Sequence, residues 1–241
     1  MASAFAVLNE TLPAPGWLLV GATALLAAAV SATSFALLTN GGQFVLNRAN
    51  VLGTLFHEGG HALVSILTGG GVFRIEITGA ESGLTWHWQP SPFAGVLATA
   101  SGYAMPPLAG LGAAALLHRG LVPAVLALTT VAMLFILLFT RDVLSAGAVV
   151  VVGAVAFCAL RWAPGWLKNG IAYAEAWLLL TSELGGLGAL VANRWRGVSG
   201  EHADDAASLA ERTGIPGFVW IAAWLALIGW AVWHAVPLLW P

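Results

Sequence analysis

The chain reads as an all-α polytopic membrane protein, with about seven transmembrane helices and a small membrane-associated β-hairpin between spans two and three. Three observations predict that class. Hydrophobic residues make up 59% of the 241 positions and charged ones only 8%, against about a quarter charged in a soluble domain. The apolar residues gather into nearly uncharged runs of about twenty, the length that crosses a ~30 Å hydrocarbon core at ~1.5 Å per residue. After the second run the hydrophobic period switches to two, on both sides of a glycine-containing turn.

Composition also excludes functions. A net charge of -2 with no basic run gives no reason to expect a nucleic-acid partner. The single cysteine, Cys158, lies in an apolar run and rules out an intramolecular disulfide or a multi-cysteine zinc site. The first residues, MASAFAVLNETLPAPG, lack the basic region of a cleavable signal, so the first span is expected to act as an uncleaved anchor.

Taken in order, the spans fall at residues 17–39, 51–68, 93–117, 121–139, 143–160, 171–192 and 218–240, within a single domain covering 1–241. Asn40-Gly41-Gly42 breaks the first. The second carries LGTLFHEGGHALVSI (52–66), in which His57, Glu58 and His61 are the only ionisable residues. Histidines at i and i+4 share a helix face, so two imidazoles converge while Glu58 sits beside them, the H-E-x-x-H zinc pattern. Ionisable groups inside a bilayer cost about 3 kcal/mol or more each and are normally paired or functional. A metal explains the cluster better than packing does. Zinc takes imidazole nitrogens, needs a third protein ligand and keeps a fourth position for water. Gly59 and Gly60 suit either helix packing or close approach of a substrate backbone.

Gly69-Gly70-Gly71 ends the second span. VFRIEIT (72–78), a turn over 79–83 and LTWHW (84–88) then read as the hairpin, whose free edge offers an unwound substrate backbone hydrogen bonds. His87 in this hairpin reads as an interfacial side chain. The third span is interrupted by Ser101-Gly102-Tyr103 and Met105-Pro106-Pro107; proline frees carbonyls that must be satisfied within protein, so this stretch belongs on the bundle interior. Arg141-Asp142 reads as a solvated pair between spans four and five, and Trp162 and Trp166 as interface anchors. Glu175 and Glu183 lie in the sixth span, and a carboxylate at the depth of Glu183 needs a cation, for which the histidine-bound metal is a partner. Asp204 and Asp205 precede a short alanine-rich helix; on the residues alone they read as caps. Lysines and arginines divide almost evenly between the two sides, so positive charge sets no orientation.

Three places resemble the site-2 protease class of intramembrane zinc metallopeptidases, specifically its compact bacterial and fungal relatives. They are HEGGHALVSILTGG with the hairpin after it, SGYAMPPLAG in span three, and DDAASLAERTGIPGFVW before the last span. The last is similar to the family's S-D-A-x-x-L-A-x-x-T-x-I-P-x-x-x-W signature, with Asp204 in place of its serine and Asp205 on its aspartate. The N-x-x-P-x-x-P-x-D-G-G motif that carries the third ligand in better-known members is missing. The resemblance favours Asp205 as third ligand; depth favours Glu183, whose SELGG is faintly similar to DGG. The matched motif puts Asp205 narrowly ahead, on condition that its loop folds back into the bundle, with Asp204 and Asp142 further behind.

The resemblance implies a zinc-dependent endopeptidase that hydrolyses peptide bonds in or near transmembrane segments of substrate proteins. Its location would be a multi-pass one in a lipid bilayer, the bacterial cell membrane being the expectation. His57, His61 and an acid would hold Zn2+, and Glu58 would be the general base. Two other readings carry less weight: an inactive metal-binding scaffold for transmembrane segments, and a cation transporter using His57, His61, Glu175 and Glu183, which seven spans without internal duplication fit poorly.

Overall fold

In the computed structural model, which describes residues 9–40, 46–196 and 204–240, the apolar runs are helices: α1 (Trp17–Asn40), α2 (Val51–Leu67), α3 (Pro92–His118), α4 (Val122–Leu137), α5 (Val143–Trp162), α6 (Gly165–Trp195) and α8 (Gly217–Leu239). A short polar helix, α7 (Asp205–Thr213), precedes the last, and a 3-10 turn (Leu46–Asn50) leads into α2. Gly41 and Gly42, expected to break the first span, and residues 197–203 of the polar stretch lie outside the described residues. By length and composition α1, α5, α6 and α8 can each cross a membrane, and α4 is a shorter apolar helix. The protein is thus an integral membrane protein, with four clear candidate spans among the described helices.

Small residues decide how closely these helices pack. At Gly60 of α2 a Cβ would lie 2.7 Å from Met105 Cβ and 2.9 Å from the Ser101 carbonyl oxygen of α3, and at Gly59 it would lie 3.0 Å from Ile136 of α4. Both glycines therefore serve helix packing. Gly110 brings α3 against Leu180 of α6, and Gly185 brings α6 against Ser31 and Ser34 of α1. Ser31 Oγ donates to the Thr181 carbonyl across that contact, at 2.7 Å.

Two spans differ from the sequence expectation. Rather than being interrupted, α3 runs unbroken through Pro106 and Pro107, both buried. A proline inside a helix costs about 3 kcal/mol in isolation; in the bundle interior, neighbouring helices shield the freed carbonyls from lipid. The sixth span, expected from 171, begins at Gly165 immediately after Pro164. Its extra polar turn is retained because Asn169 Nδ2 donates to the Pro13 carbonyl at 3.1 Å.

The hairpin pairs β1 (Gly71–Gly79) with β2 (Ser82–Trp88) antiparallel, with register irregularities at Val72/Arg74 and Ile77/Gly79. Ile75 and Ile77 are buried against Leu55, Ala62, Ile136 and Val149, which seats the hairpin on α2, α4 and α5. The outer edge of β1 is occupied: Ile75 N–H donates to the Phe139 carbonyl at 3.0 Å and Ile77 N–H to Ser145 Oγ at 2.7 Å. The tip is tied down by Thr54 Oγ1 donating to the Ala80 carbonyl and Asn50 Nδ2 to Glu81, each at 2.7 Å, with Ser34 also donating to Glu81. Burial pushes the Glu81 carboxyl up against the opposing effect of those two donors.

Candidate metal centre

One turn of α2 separates His57 and His61, whose ring centroids lie 4.9 Å apart with planes at 79°. Each ring is oriented through Nδ1. His61 Nδ1–H donates to the Ala98 carbonyl of α3 at 2.7 Å, and His57 Nδ1 lies 3.4 Å from Glu183 Oε1 of α6. An imidazole that gives its Nδ1 proton to an oxygen keeps a lone pair on Nε2, the arrangement of metal-ligating histidines. Both Nε2 atoms point at Asp205 Oδ2, at 3.2 Å from His57 and 3.3 Å from His61.

The local sequence explains why Asp205 reaches them. Asp204 is the N-cap of α7, its Oδ1 accepting from Ala207 N–H at 2.9 Å, and Arg194 pairs with its carboxylate at 2.6 Å. Asp204 is therefore used up, leaving Asp205, the first helical residue, to face the bundle. Ala206 and Leu209 are fully buried among Leu187, Ile221 and Trp224, and Gly217 lets α8 pass the Ala206 carbonyl, where a Cβ would approach to 3.0 Å. Gly214 ends α7 at φ 72°, a left-handed value that favours glycine.

Three facts test whether these residues fit a metal. Asp205 Oδ2 is buried and has no hydrogen-bond partner among the described residues. Ligands ~2.0–2.1 Å from a tetrahedral zinc lie about 3.3 Å from one another, which matches the observed 3.2 and 3.3 Å. The donor set His57, His61 and Asp205, all within 4.8 Å, is two nitrogens and one oxygen, a set that suits zinc and leaves a fourth position open.

Gly102 makes the room. A Cβ there would lie 2.5 Å from His61 Nε2 and 2.6 Å from His57 Nε2. Gly102→Ala is therefore expected to weaken zinc binding roughly 10- to 100-fold, the range seen when a ligand's supporting shell is disturbed. Isothermal titration of the metal-free protein with zinc checks this, and unchanged affinity would mean the ion sits elsewhere.

Glu58 stands beside the donor set, nearly fully buried. Its Oε2 accepts from Thr85 Oγ1 of β2 at 2.7 Å. Gly83 of β2 makes space for it, since a Cβ there would lie 2.8 Å from Glu58 Oε1. The Tyr103 ring meets His57 edge-on at 4.7 Å and packs against Trp224, whose Nε1–H donates to the Ala100 carbonyl at 3.0 Å.

The other sequence candidates are not members of the donor set. Asp142 caps α5, accepting from Ser145 N–H at 2.8 Å, and Glu175 accepts from Thr129 of α4. Glu183 orients His57 from behind. His87, read from sequence as interfacial, is half-buried and stacks on His61, centroids 6.2 Å apart and planes at 14°. Burial, then His61 and Arg212, push its imidazole below its ordinary value. Thr85 and His87 escaped the sequence reading as site residues although two-residue periodicity puts Gly83, Thr85 and His87 on one face of β2.

A family model described as Peptidase M50B-like matches residues 21–235. No curated protein gives a significant match, and no solved structure does.

Proposed function

Because the chain belongs to the Peptidase M50B-like family, membrane metallopeptidases of the site-2 protease class, we propose that it is a zinc-dependent endopeptidase cutting peptide bonds in or near transmembrane segments. The observation that carries this reading is the convergence of His57 Nε2 and His61 Nε2 on Asp205 Oδ2 at 3.2 and 3.3 Å. In this reading α2, α3 and α4 complete a seven-span bundle with the four long apolar helices.

His57, His61 and Asp205 would hold zinc, with Glu183 and the Ala98 carbonyl fixing the two rings. When bound, zinc supplies Lewis acidity to the water and the scissile carbonyl that approach it. Glu58, held by Thr85, takes a proton from the attacking water and passes it to the leaving amine. The edge of β1 is taken by Phe139 and Ser145, so an unwound substrate strand adds along β2. That strand brings its carbonyls past Glu58.

The test uses detergent-purified protein and a fluorescently labelled single-span peptide with Gly-Pro near its middle. We expect cleavage that chelation abolishes and zinc restores, with about one zinc per chain. Peptide and zinc binding without product would support the inactive scaffold instead.

A further inference from the structure

The face of β2 that looks onto α2 carries three side-chain positions in succession. Gly83 makes room for the Glu58 carboxylate, Thr85 hydrogen-bonds it, and His87 lies over His61. The first two serve the general base. The third has no part in the reaction as described above, and it is not in the donor set.

Its hydrogen bonding defines what it offers. Gln89 Nε2 donates to His87 Nδ1 at 3.1 Å and to Ser65 Oγ at 2.5 Å, while Gln89 Oε1 lies 3.1 Å from Thr68 Oγ1. An Nδ1 that accepts carries no proton, so the proton of the neutral ring is on Nε2. No described residue accepts from that N–H. The protons of the other two rings are committed, His61 to the Ala98 carbonyl and His57 toward Glu183. Glu58, Glu183 and Asp205 are acceptors when ionised. Beyond the polarisation that zinc would supply, none of these groups donates a hydrogen bond to the carbonyl oxygen as it becomes anionic. A substrate strand lying along β2 would pass beside His87.

We propose that His87 is a further catalytic residue, whose Nε2–H donates to the scissile carbonyl oxygen as that oxygen gains negative charge; this rests on the peptidase reading above. Water oxygen bonds to the carbonyl carbon, the carbonyl π pair moves onto oxygen, and Glu58 takes the water proton. On collapse the C–N bond breaks and Glu58 protonates the amine. His87 keeps its proton throughout.

The variant pair is His87→Phe, which keeps a flat ring without the donor, and His87→Gln, which keeps an N–H. His87→Phe should lower kcat about 100-fold, the size of losing one such donor, with zinc still bound. KM should stay within about twofold, because the interaction forms only in the transition state. His87→Gln should recover part of the loss. A second readout is binding, measured in zinc-loaded Glu58→Gln protein with the labelled peptide and its phosphinic analogue, whose tetrahedral anion resembles the transition state. Adding His87→Phe should weaken the phosphinic analogue by a factor similar to the kcat loss and leave the peptide unaffected. In 15N-histidine-labelled wild-type protein the analogue should also shift the Nε2-bound proton of His87 downfield.

Zinc lost together with kcat, equal weakening of both ligands, or an unmoved His87 resonance would each overturn the inference. A wild-type chain that takes up zinc and cuts nothing would sink the peptidase reading instead. His87 would then be judged on the analogue alone, where unchanged affinity in His87→Phe rejects it.

Discussion

Glu58→Gln should abolish peptide cleavage while leaving the metal in place. Glutamine matches glutamate in shape, and its carbonyl oxygen can still accept from Thr85 Oγ1, so the contact between α2 and β2 at 2.7 Å survives the change. What disappears is a group able to hold the water's proton, and positioned general bases contribute about 10²–10⁴-fold. Glu58 serves both halves of the reaction, as base and then as acid toward the leaving amine, so the loss should fall at the upper end of that range. Glu58 lies outside the donor set of His57, His61 and Asp205, so zinc content by atomic absorption should match the wild type. Wild-type rates in the variant would remove Glu58 from the mechanism; zinc loss would mean that it is a ligand.

The chemistry-bearing part of this site was legible along the sequence where its geometry is local. His57, Glu58 and His61 are fixed relative to one another by helix periodicity alone, and the hairpin by alternation of two. Helix existence was equally plain, because a bilayer demands long apolar runs. The third carboxylate was harder, since Glu183 and Asp205 both reach the histidines and only tertiary packing assigns them different atoms. Glu183 approaches His57 Nδ1, and Asp205 lies between the two Nε2 atoms. Gly102 was visible as a break signal inside span three. Its use is instead steric, in a helix that does not break, and that depends on how closely α3 approaches α2. His87 reads along the sequence as an interfacial side chain, but in the structure the exposed face of β2 belongs to its neighbours Trp86 and Trp88. Its own face is the opposite one.

The two carboxylates should separate cleanly when each is removed. Structural zinc sites hold their ion with about 10–16 kcal/mol over four ligands, or roughly 3 kcal/mol per ligand. Asp205→Ala should therefore weaken zinc about 200-fold, and the chain should lose its metal on dialysis. The helix that carries it should persist, because the cap, Asp204 with Arg194, and the buried Ala206 and Leu209 are untouched. Glu183→Gln takes away only the charge behind His57 Nδ1, while its amide oxygen can still accept from that N–H. The expected cost is about tenfold in zinc affinity, the lower end for such outer partners. Competition titration with a fluorescent chelator measures both variants on one scale. The reverse ranking, with Glu183→Gln losing the ion and Asp205→Ala keeping it, would move the third ligand from α7 to α6. It would also leave the buried, unpartnered Oδ2 of Asp205 without a physical reason to sit between two imidazole nitrogens.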